Sequence, residues 1–382
     1  MRFIAKSLFG LEEVLAREIR DAGGESVQVR NRAVVFEGGT ETLYAVNYTS
    51  RTAISVLMEI VSFNIERDSD LYDRAVKTDW GSYMSADNTF AVTAVVNSPF
   101  YKHTAYPGLV VKDAIADHFR KHTGRRPSVD PSHPGILVNL HISNREVTIS
   151  LDSSVVPLFK RGYRKNQGTA PLNESLAAGM IMLTGWHGDR SFHDPMCGSG
   201  TLPVEAGLIA AGIPPGYFRE FFGFHNWKSY DPDLFSTIKQ KYNSAIRPVG
   251  VLISGSDISM QAVKLARETV ANAGLEGDVK IVRDDFTVGG TPRNDGIMIL
   301  NPPYGKRINA GEVSKLYSTI GTTLKHKCAG VEAWIFSGSD EAIKAVALKP
   351  SKRIKLFNGS IECHFNRYFI EAGKFSSGKN YQ

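Results

Sequence analysis

The sequence has few of the residues from which disulfide or metal frameworks are built. Only three of its 382 residues are cysteine, and its ten histidines are scattered without a ligand spacing. Paired cysteine spacings mark disulfide scaffolds and zinc sites, so both classes of protein are disfavoured. We therefore expect no bound metal.

Long apolar runs are missing as well. No stretch approaches the roughly 20 apolar residues that a membrane span requires. Lys6 interrupts the first apolar residues, and Glu12 and Glu13 follow them, which is unlike a secretory signal. We expect a soluble, cytoplasmic protein. Because 42% of the residues are hydrophobic, the chain has room for two or three cores.

A complete nucleotide-phosphate motif is also absent, although a glycine loop is present. Asp194 ends a predicted strand, and Gly198 and Gly200 precede a helix predicted to begin at Thr201. No Gly-Lys-Ser/Thr follows, which excludes a P-loop, and Pro203 stands where the dinucleotide-binding pattern has its third glycine. The glycines still permit a tight turn and a close approach of the backbone to a ligand.

Two later predicted strands end on carboxylates. One ends at Asp257, and the next ends at Asp284 and Asp285, followed by Phe286. A carboxylate at the first position can accept both hydroxyls of a ribose. At the second, Asp285 can accept from an adenine amino group while Phe286 covers the ring. The alternatives are helix N-capping by Asp257 and a solvated turn at Asp284-Asp285.

The most informative segment is Asn301-Pro302-Pro303-Tyr304, which follows an apolar strand predicted at 296–300. Asn301 Oδ1 and the Pro302 carbonyl can each accept one N–H of an exocyclic amino group, and proline fixes the local backbone. Tyr304 offers a face on which a base can stack, worth roughly 1–3 kcal/mol. The alternative is a turn that caps a buried strand, with Tyr304 as packing.

These residues resemble those of enzymes that transfer a methyl group to an aromatic amine, and the resemblance implies that chemistry. The donor is already activated, so the protein supplies position and electrostatics, and no strong base is needed. Carbon methylation commonly uses a cysteine that follows proline, but Met196, Lys327 and Glu362 precede the cysteines of this chain. The target base must be unpaired or flipped out of its helix, at a cost on the order of a few kcal/mol.

The charge pattern is compatible with a nucleic-acid partner. The formal net charge is +6, a modest basic bias. Two basic clusters are candidates for phosphate contacts, and each has a solvated surface as its alternative. The first cluster consists of Lys160, Arg161, Arg164 and Lys165, with Tyr163 between them. The second consists of Arg120, Lys121, Arg125 and Arg126.

The periodicity predicts an α/β organisation. The first 155 residues read as two small α+β units, and 156–170 as a basic connection. The remainder alternates strands and helices as a doubly wound parallel sheet does. Its last two strands, predicted at 353–357 and 363–371, are joined by a loop short enough for an antiparallel hairpin. The aromatic stretch 217–227 is expected to pack on the flank of that sheet, with a base-contacting wall as the alternative.

Taken in order, these motifs resemble those of S-adenosylmethionine-dependent amino-methyltransferases. The segments 159–164, 170–174, 10–15 and 111–115 also resemble THUMP-domain RNA methyltransferases, specifically the bacterial 23S rRNA guanine-N2 enzymes of the RlmL type. The resemblance implies a ferredoxin-like domain at 1–62, a THUMP RNA-binding domain at 63–155, the linker 156–170, and a Rossmann-like class I methyltransferase domain at 171–382 with an antiparallel last strand.

The resemblance also implies site residues. Asn301, Pro302 and Tyr304 would be catalytic, and the segment 169–172 would approach the methionine part of the cofactor. RNA would contact Lys160, Arg161, Tyr163 and Arg164. The cofactor, S-adenosylmethionine, would be bound by Asp194, Cys197, Gly198, Gly200, Thr201, Asp257, Ile258, Asp285, Phe286 and Asn301.

Three functions stay open on the sequence. The first is methylation of a guanine N2 amine in large-subunit rRNA, which would make 23S rRNA or a ribosome assembly precursor the partner. The second is methylation of adenine N6 in DNA, because Asn-Pro-Pro-Tyr serves either amine. The third is a non-catalytic RNA-binding scaffold. The first 150 residues favour RNA, since no helix-turn-helix or zinc-finger spacing is seen.

Overall fold

The computed structural model describes residues 1–165, 172–289, 296–304 and 310–370. They form two compact units. The first comprises Met1–Ser7, Glu12–Arg161 and Pro214–Ser244. The second comprises Leu8–Leu11, Gly162–Ile213 and the residues from Ala245 onwards.

The regular elements are numbered in chain order. The strands are β1 (Arg2–Ser7), β2 (Glu25–Arg30), β3 (Ala33–Glu37), β4 (Ala53–Asn64), β5 (Thr89–Asn97), β6 (Ser128–Val129), β7 (Ile136–Ser143), β8 (Glu146–Asp152), β9 (Phe192–Asp194), β10 (Ile253–Asp257), β11 (Val279–Arg283), β12 (Ile297–Leu300), β13 (Glu332–Ser337), β14 (Lys352–Asn358) and β15 (Ile361–Phe369). The helices are α1 (Glu12–Asp21), α2 (Thr40–Thr49), α3 (Ser69–Lys77), α4 (Tyr106–Thr123), α5 (Glu174–Leu183), α6 (Thr201–Ala210), α7 (Pro232–Asn243), α8 (Met260–Asn272), α9 (Phe286–Gly289), α10 (Ala310–Lys327) and α11 (Asp340–Ala345).

The first unit is built on one eight-stranded sheet in the order β2-β3-β1-β4-β8-β7-β5-β6. The two predicted N-terminal α+β units share this sheet, because β4 pairs with β1 on one side and with β8 on the other. The predicted boundary after residue 62 lies inside β4. Alternating buried positions on β1, β7 and β8 supply the core of the unit.

The aromatic stretch belongs to this first unit, so its predicted place on the flank of the other sheet is wrong. Phe222, Phe224 and Trp227 are buried in the core of the first unit. The ring of Phe224 lies 4.4 Å from that of Tyr44, centroid to centroid, and Phe235 of α7 packs against both. Such clusters favour tilted and edge-on ring contacts. The stretch is therefore a packing element.

The second unit is built on a seven-stranded sheet in the order β11-β10-β9-β12-β13-β15-β14. Strands β9 to β13 run parallel, whereas β15 is antiparallel to both β13 and β14. The predicted doubly wound sheet with an antiparallel last strand is confirmed. The strand order reverses between β9 and β12, which creates a crevice at the carboxyl ends of the strands.

Buried strands and capped helices explain why this unit folds as it does. All four residues of β12 are buried, as expected for a central parallel strand. Asn173 caps α5 and Ser259 caps α8 by accepting backbone N–H bonds from Leu176 and Ala262. Among the described residues, no helix is both long enough and apolar enough to cross a membrane.

Candidate active site

A cavity of about 960 Å³ opens at the carboxyl ends of β9, β10, β11 and β12. This is the position at which ligands bind in open α/β sheets. The lining contains most of the predicted cofactor residues. These are Asp194, Cys197, Gly198, Thr201, Asp257, Ile258, Asp285, Phe286 and Asn301, joined by Leu172 and Pro303.

The glycine loop between β9 and α6 forms one wall. Gly198 and Gly200 have φ values of +52° and +81°, which side chains of L-residues rarely adopt. A Cβ on Gly200 would also meet the backbone of Ala266 at 3.2 Å, so helix packing requires glycine there. Within the described ranges, a Cβ on Gly198 would meet no atom within 4 Å. The loop is therefore a tight turn with open space beside Gly198.

Asp257 braces that loop from the end of β10. Its Oδ2 accepts a hydrogen bond from Gly198 N at 3.0 Å, and its Oδ1 accepts one from Ser259 N at 2.8 Å. Ser259, and not Asp257, caps α8, which removes the N-cap alternative for Asp257. The next residue, Ile258, is 63% exposed and lines the cavity. Its apolar surface can cover a flat ligand.

Asp285 and Phe286 lie where β11 leads into α9. The Asp285 Oδ1 atom accepts from Thr287 N at 2.9 Å and from Thr287 Oγ1 at 2.6 Å, so this carboxylate starts a turn. Phe286 is buried in the core cluster around α10 and also lines the cavity. Asp285 therefore has a structural role as well as a place at the wall.

Burial shifts the protonation of the groups beneath the loop. Burial and, to a smaller extent, the nearby charge of Asp257 raise the pKa of the Asp194 carboxyl to about 8, although Met196 N donates to Asp194 at 3.1 Å. Burial also raises the pKa of the Cys197 thiol, and Asp194 and Asp257 act in the same direction. A protonated thiol is a poor nucleophile, which fits the interpretation of Cys197 as a small loop residue.

Asn301 follows β12 at the edge of the cavity. Its Oδ1 atom is buried and has no hydrogen-bond partner among the residues that the structure describes. A buried carbonyl without a partner costs about 1–3 kcal/mol, so such an atom needs an explanation. Pro302 is buried and Pro303 lines the cavity. The arrangement presents an acceptor held in place and ready for a donor.

Tyr304 is held by the hairpin of β14 and β15. Its hydroxyl accepts from Asn358 Nδ2 at 2.9 Å, and Cys363 Sγ lies 3.6 Å from the same oxygen. Its ring meets Phe336 edge-on, at 6.2 Å between centroids. Burial raises the pKa of the phenol, so it stays protonated. The sequence does not predict that Asn358 and Cys363 contact Tyr304. They lie 54 and 59 positions later in the chain, and no local pattern connects them with it.

Family comparisons agree with this geometry. A family model described as the RMKL-like methyltransferase domain matches residues 161–367. The chain belongs to this methyltransferase family. Models of the RlmL ferredoxin-like domain and of the THUMP domain match residues 2–57 and 67–152. The resemblance found in the sequence is confirmed, and so is the class I methyltransferase fold of the second unit.

Several known proteins align with most of this chain. "Putative RNA methyltransferase" of Synechocystis sp. is 35% identical over 94% of each chain. "Ribosomal RNA large subunit methyltransferase K/L" of Syntrophotalea carbinolica is 34% identical over 98% of this chain and 54% of its own length. The chain thus spans about half the length of the K/L proteins. A crystal structure of "a putative methyltransferase complexed with SAH" has a TM-score of 0.88 at 27% identity, covering 98% and 99% of the two chains.

Two residues predicted to bind RNA, Arg161 and Tyr163, are buried, and the prediction is wrong for these two; Arg164 is partly exposed. Arg161 is 1% exposed and donates to the backbone carbonyls of Leu158 and Arg51. Tyr163 is 1% exposed and Arg164 pairs with a buried carboxylate. Arg161 and Tyr163 are therefore enclosed by the protein and offer no solvated surface that a phosphate can contact.

Two other parts of the predicted site are the RNA contact Lys160 and the cofactor-binding segment 169–172. Lys160 and Lys165 are exposed, and Lys160 stays a predicted RNA contact. The residues 169–171, expected near the methionine part of the cofactor, lie outside the described residues. Leu172, the next residue, lines the cavity. No group of three or more histidine, cysteine, aspartate or glutamate side chains suited to a metal occurs in the described part of the chain.

Proposed function

We propose that this methyltransferase uses S-adenosylmethionine to methylate the exocyclic N2 amine of a guanine in large-subunit ribosomal RNA. The observation that carries the proposal is that Asn301 lines the cavity and that its buried Oδ1 atom has no hydrogen-bond partner among the described residues. An amino group that donates to this atom would satisfy it. The names of the K/L relatives and the match to the THUMP domain support an RNA substrate.

The residues of the cavity fit S-adenosylmethionine. Three carboxylates stand at the ends of neighbouring parallel strands, and the open side of the glycine loop faces the same space. Asp257 would accept the ribose hydroxyls, Asp285 the adenine amino group, and Ile258 and Phe286 would cover the ring. Asp194 lies beneath the loop, where the methionine part would sit. When bound, this cofactor supplies a methyl group already activated on a sulfonium.

Catalysis in this proposal rests on position. Asn301 Oδ1 and the Pro302 carbonyl each accept one N–H of the target amine, which aligns the nitrogen and stabilises the charge that develops on it. The ring of Tyr304 contacts the flipped base. The buried phenol and thiol remain protonated, and no described side chain has to act as a strong base.

The division of labour between the units sets the substrate. A pocket that contacts one flipped base offers too little surface to choose a nucleotide in a large RNA. Selection would come from the THUMP-containing first unit and from exposed cations such as Lys160, through phosphate and shape. A 23S rRNA substrate or assembly precursor would place the enzyme in the cytoplasm.

One observation favours a second candidate. A crystal structure named "predicted N6-adenine-specific DNA methylase" from Listeria monocytogenes matches with a TM-score of 0.86 at 26% identity. Since the acceptor pair suits either amine, adenine N6 in DNA is the competing substrate. The strands of the first unit come from the segments that match the RlmL ferredoxin-like and THUMP domains. This match favours RNA over DNA as the substrate.

Labelled methyl transfer separates the candidates. The full chain is incubated with methyl-labelled S-adenosylmethionine and either rRNA or duplex DNA, and the nucleosides are resolved by mass spectrometry. We expect N2-methylguanosine from 23S rRNA and a large loss of label with Asn301→Ala. N6-methyladenine from DNA would make the second candidate correct. An absence of cofactor binding in calorimetry would overturn the methyltransferase proposal itself.

A further inference from the structure

Arg164 connects two segments that wall the cavity. Its side chain is 8% exposed, and its Nη1 atom lies 3.1 Å from Glu174 Oε1, whose side chain is also 8% exposed. Its Nη2 atom donates to Thr201 Oγ1. One guanidinium therefore joins the first residue of α5 to the first residue of α6. Both helices begin beside the cavity, after Leu172 and Gly200.

The neighbouring tyrosine fixes the same stretch of backbone. Tyr163 Oη donates to Glu205 Oε1 at 2.9 Å in a buried contact. Thr201 and Glu205 are four residues apart and so lie on one face of α6. Residues 163 and 164 are thus attached to two successive turns of the helix that follows the glycine loop.

The charges around Arg164 contribute little to the stability of the fold. Helix N-termini carry partial positive charge, so a guanidinium beside two of them is repelled unless a carboxylate offsets it. Glu174 supplies that carboxylate, but buried ion pairs rarely gain much net stability over apolar packing. The planar guanidinium of Arg164 contacts both helix starts at once. It therefore fixes the distance between two short segments that line the cavity.

We propose that Arg164 is a positioning residue that sets the spacing between the start of α5 and the glycine-loop end of α6, and thereby shapes the S-adenosylmethionine cavity. It acts through Thr201 and Glu174 and does not contact RNA. The inference rests on the proposed function for the identity of the cofactor.

Calorimetry on the full chain without RNA tests this role. Arg164→Met should weaken S-adenosylmethionine binding by about tenfold or more, the lower end of what loss of an outer supporting contact costs at metal sites. Arg164→Lys keeps the charge without the fork and should also weaken binding. The matched control is Arg190→Met, which breaks another ion pair of the second unit, with Glu332 at 2.9 Å, at the opposite ends of the strands. It should keep the wild-type Kd.

A double-mutant cycle keeps the test informative if Arg164→Met does not fold. Thr201→Val removes the hydroxyl that Arg164 contacts, so Arg164→Lys should have a smaller effect on the Kd in that background. Additive effects, or wild-type Kd values in every Arg164 variant, would overturn the proposal. So would a reduced salt slope of RNA binding in Arg164→Met, which removes the charge, with an unchanged cofactor Kd. A wild-type protein that binds no cofactor would instead overturn the proposed function.

Discussion

Replacing Asn301 by alanine separates a catalytic role from a structural one. Because Asn301 Oδ1 is buried without a described partner, the folded protein bears the desolvation cost of that atom, about 1–3 kcal/mol. Alanine removes this cost and leaves a void of a few atoms, which costs about 1 kcal/mol for each methyl-sized space. The two effects oppose each other, so the free energy of unfolding should change by less than about 2 kcal/mol.

The rate of methyl transfer should respond much more. Loss of one fixed group that stabilises developing charge lowers turnover by about 10²-fold, or about 2.7 kcal/mol in the barrier. The Asn301 acceptor acts on the amine as its charge develops, so the loss should appear mainly in kcat. A stable protein with a hundredfold slower turnover is the expected phenotype.

The assay compares Asn301→Ala with a matched variant of the same chemistry. Asn366 on β15 also has a buried Oδ1 atom without a described partner, and it does not line the cavity. Asn366→Ala should alter stability by a similar amount and leave single-turnover rates near those of the wild type. If Asn301→Ala transfers methyl groups at the wild-type rate, or if both variants lose activity together, the catalytic assignment is wrong.

Four further outcomes are expected. Asp257→Ala should weaken S-adenosylmethionine binding in calorimetry by about tenfold or more, because the hydrogen bonds from both ribose hydroxyls are lost, and an unchanged Kd in a folded variant would remove the ribose assignment. Cys197→Ala should keep turnover, because burial raises the pKa of that thiol; complete loss with cofactor bound would indicate covalent chemistry. Burial raises the pKa of Asp194 from 3.8 to about 8, so the folded state holds the proton more tightly. The free energy of unfolding should then fall as the pH rises from 4 to 8, and Asp194→Asn should lose that slope; an unchanged slope in this variant would assign the pH dependence to other groups. Arg126→Gln, at an exposed position, should lower the salt slope of rRNA binding by about one, and an unchanged slope would exclude the second basic cluster as a phosphate contact.

Strand-end residues were predictable because of how parallel sheets are connected. Each apolar run in the second half predicts a strand, and consecutive parallel strands bring their carboxyl ends to one edge. Asp194, Asp257, Asp285 and Asn301 therefore had to meet there once the strands were assigned, and the structure brings them to one cavity. Glycine spacing then located the turn. None of these inferences needed side-chain contacts.

Elements whose formation or place depends on a pairing or packing partner were missed or misplaced. Strand β2 has alternating but largely polar residues and is exposed at the sheet edge, so it forms by pairing with β3. The sequence of the aromatic stretch indicates only that its side chains are apolar and tend to be buried. Its contact with Tyr44, about 180 residues earlier, shows which core it enters. A local pattern specifies that such residues are buried, and it does not specify where.

The surroundings of basic residues are equally hard to predict from the sequence. An error there changes which residues are expected to contact RNA. A cluster of cations in a connection reads as a phosphate-binding surface, yet Arg161 donates to backbone carbonyls and Arg164 pairs with Glu174. Arginine can do this because five fixed donors satisfy several acceptors at once, whereas the ammonium of Lys160 stays in water. Within such clusters, lysine is therefore the better sequence marker of an RNA-facing surface. Arginine in such a cluster is as well suited to joining segments of the protein, as Arg164 joins the first residues of α5 and α6.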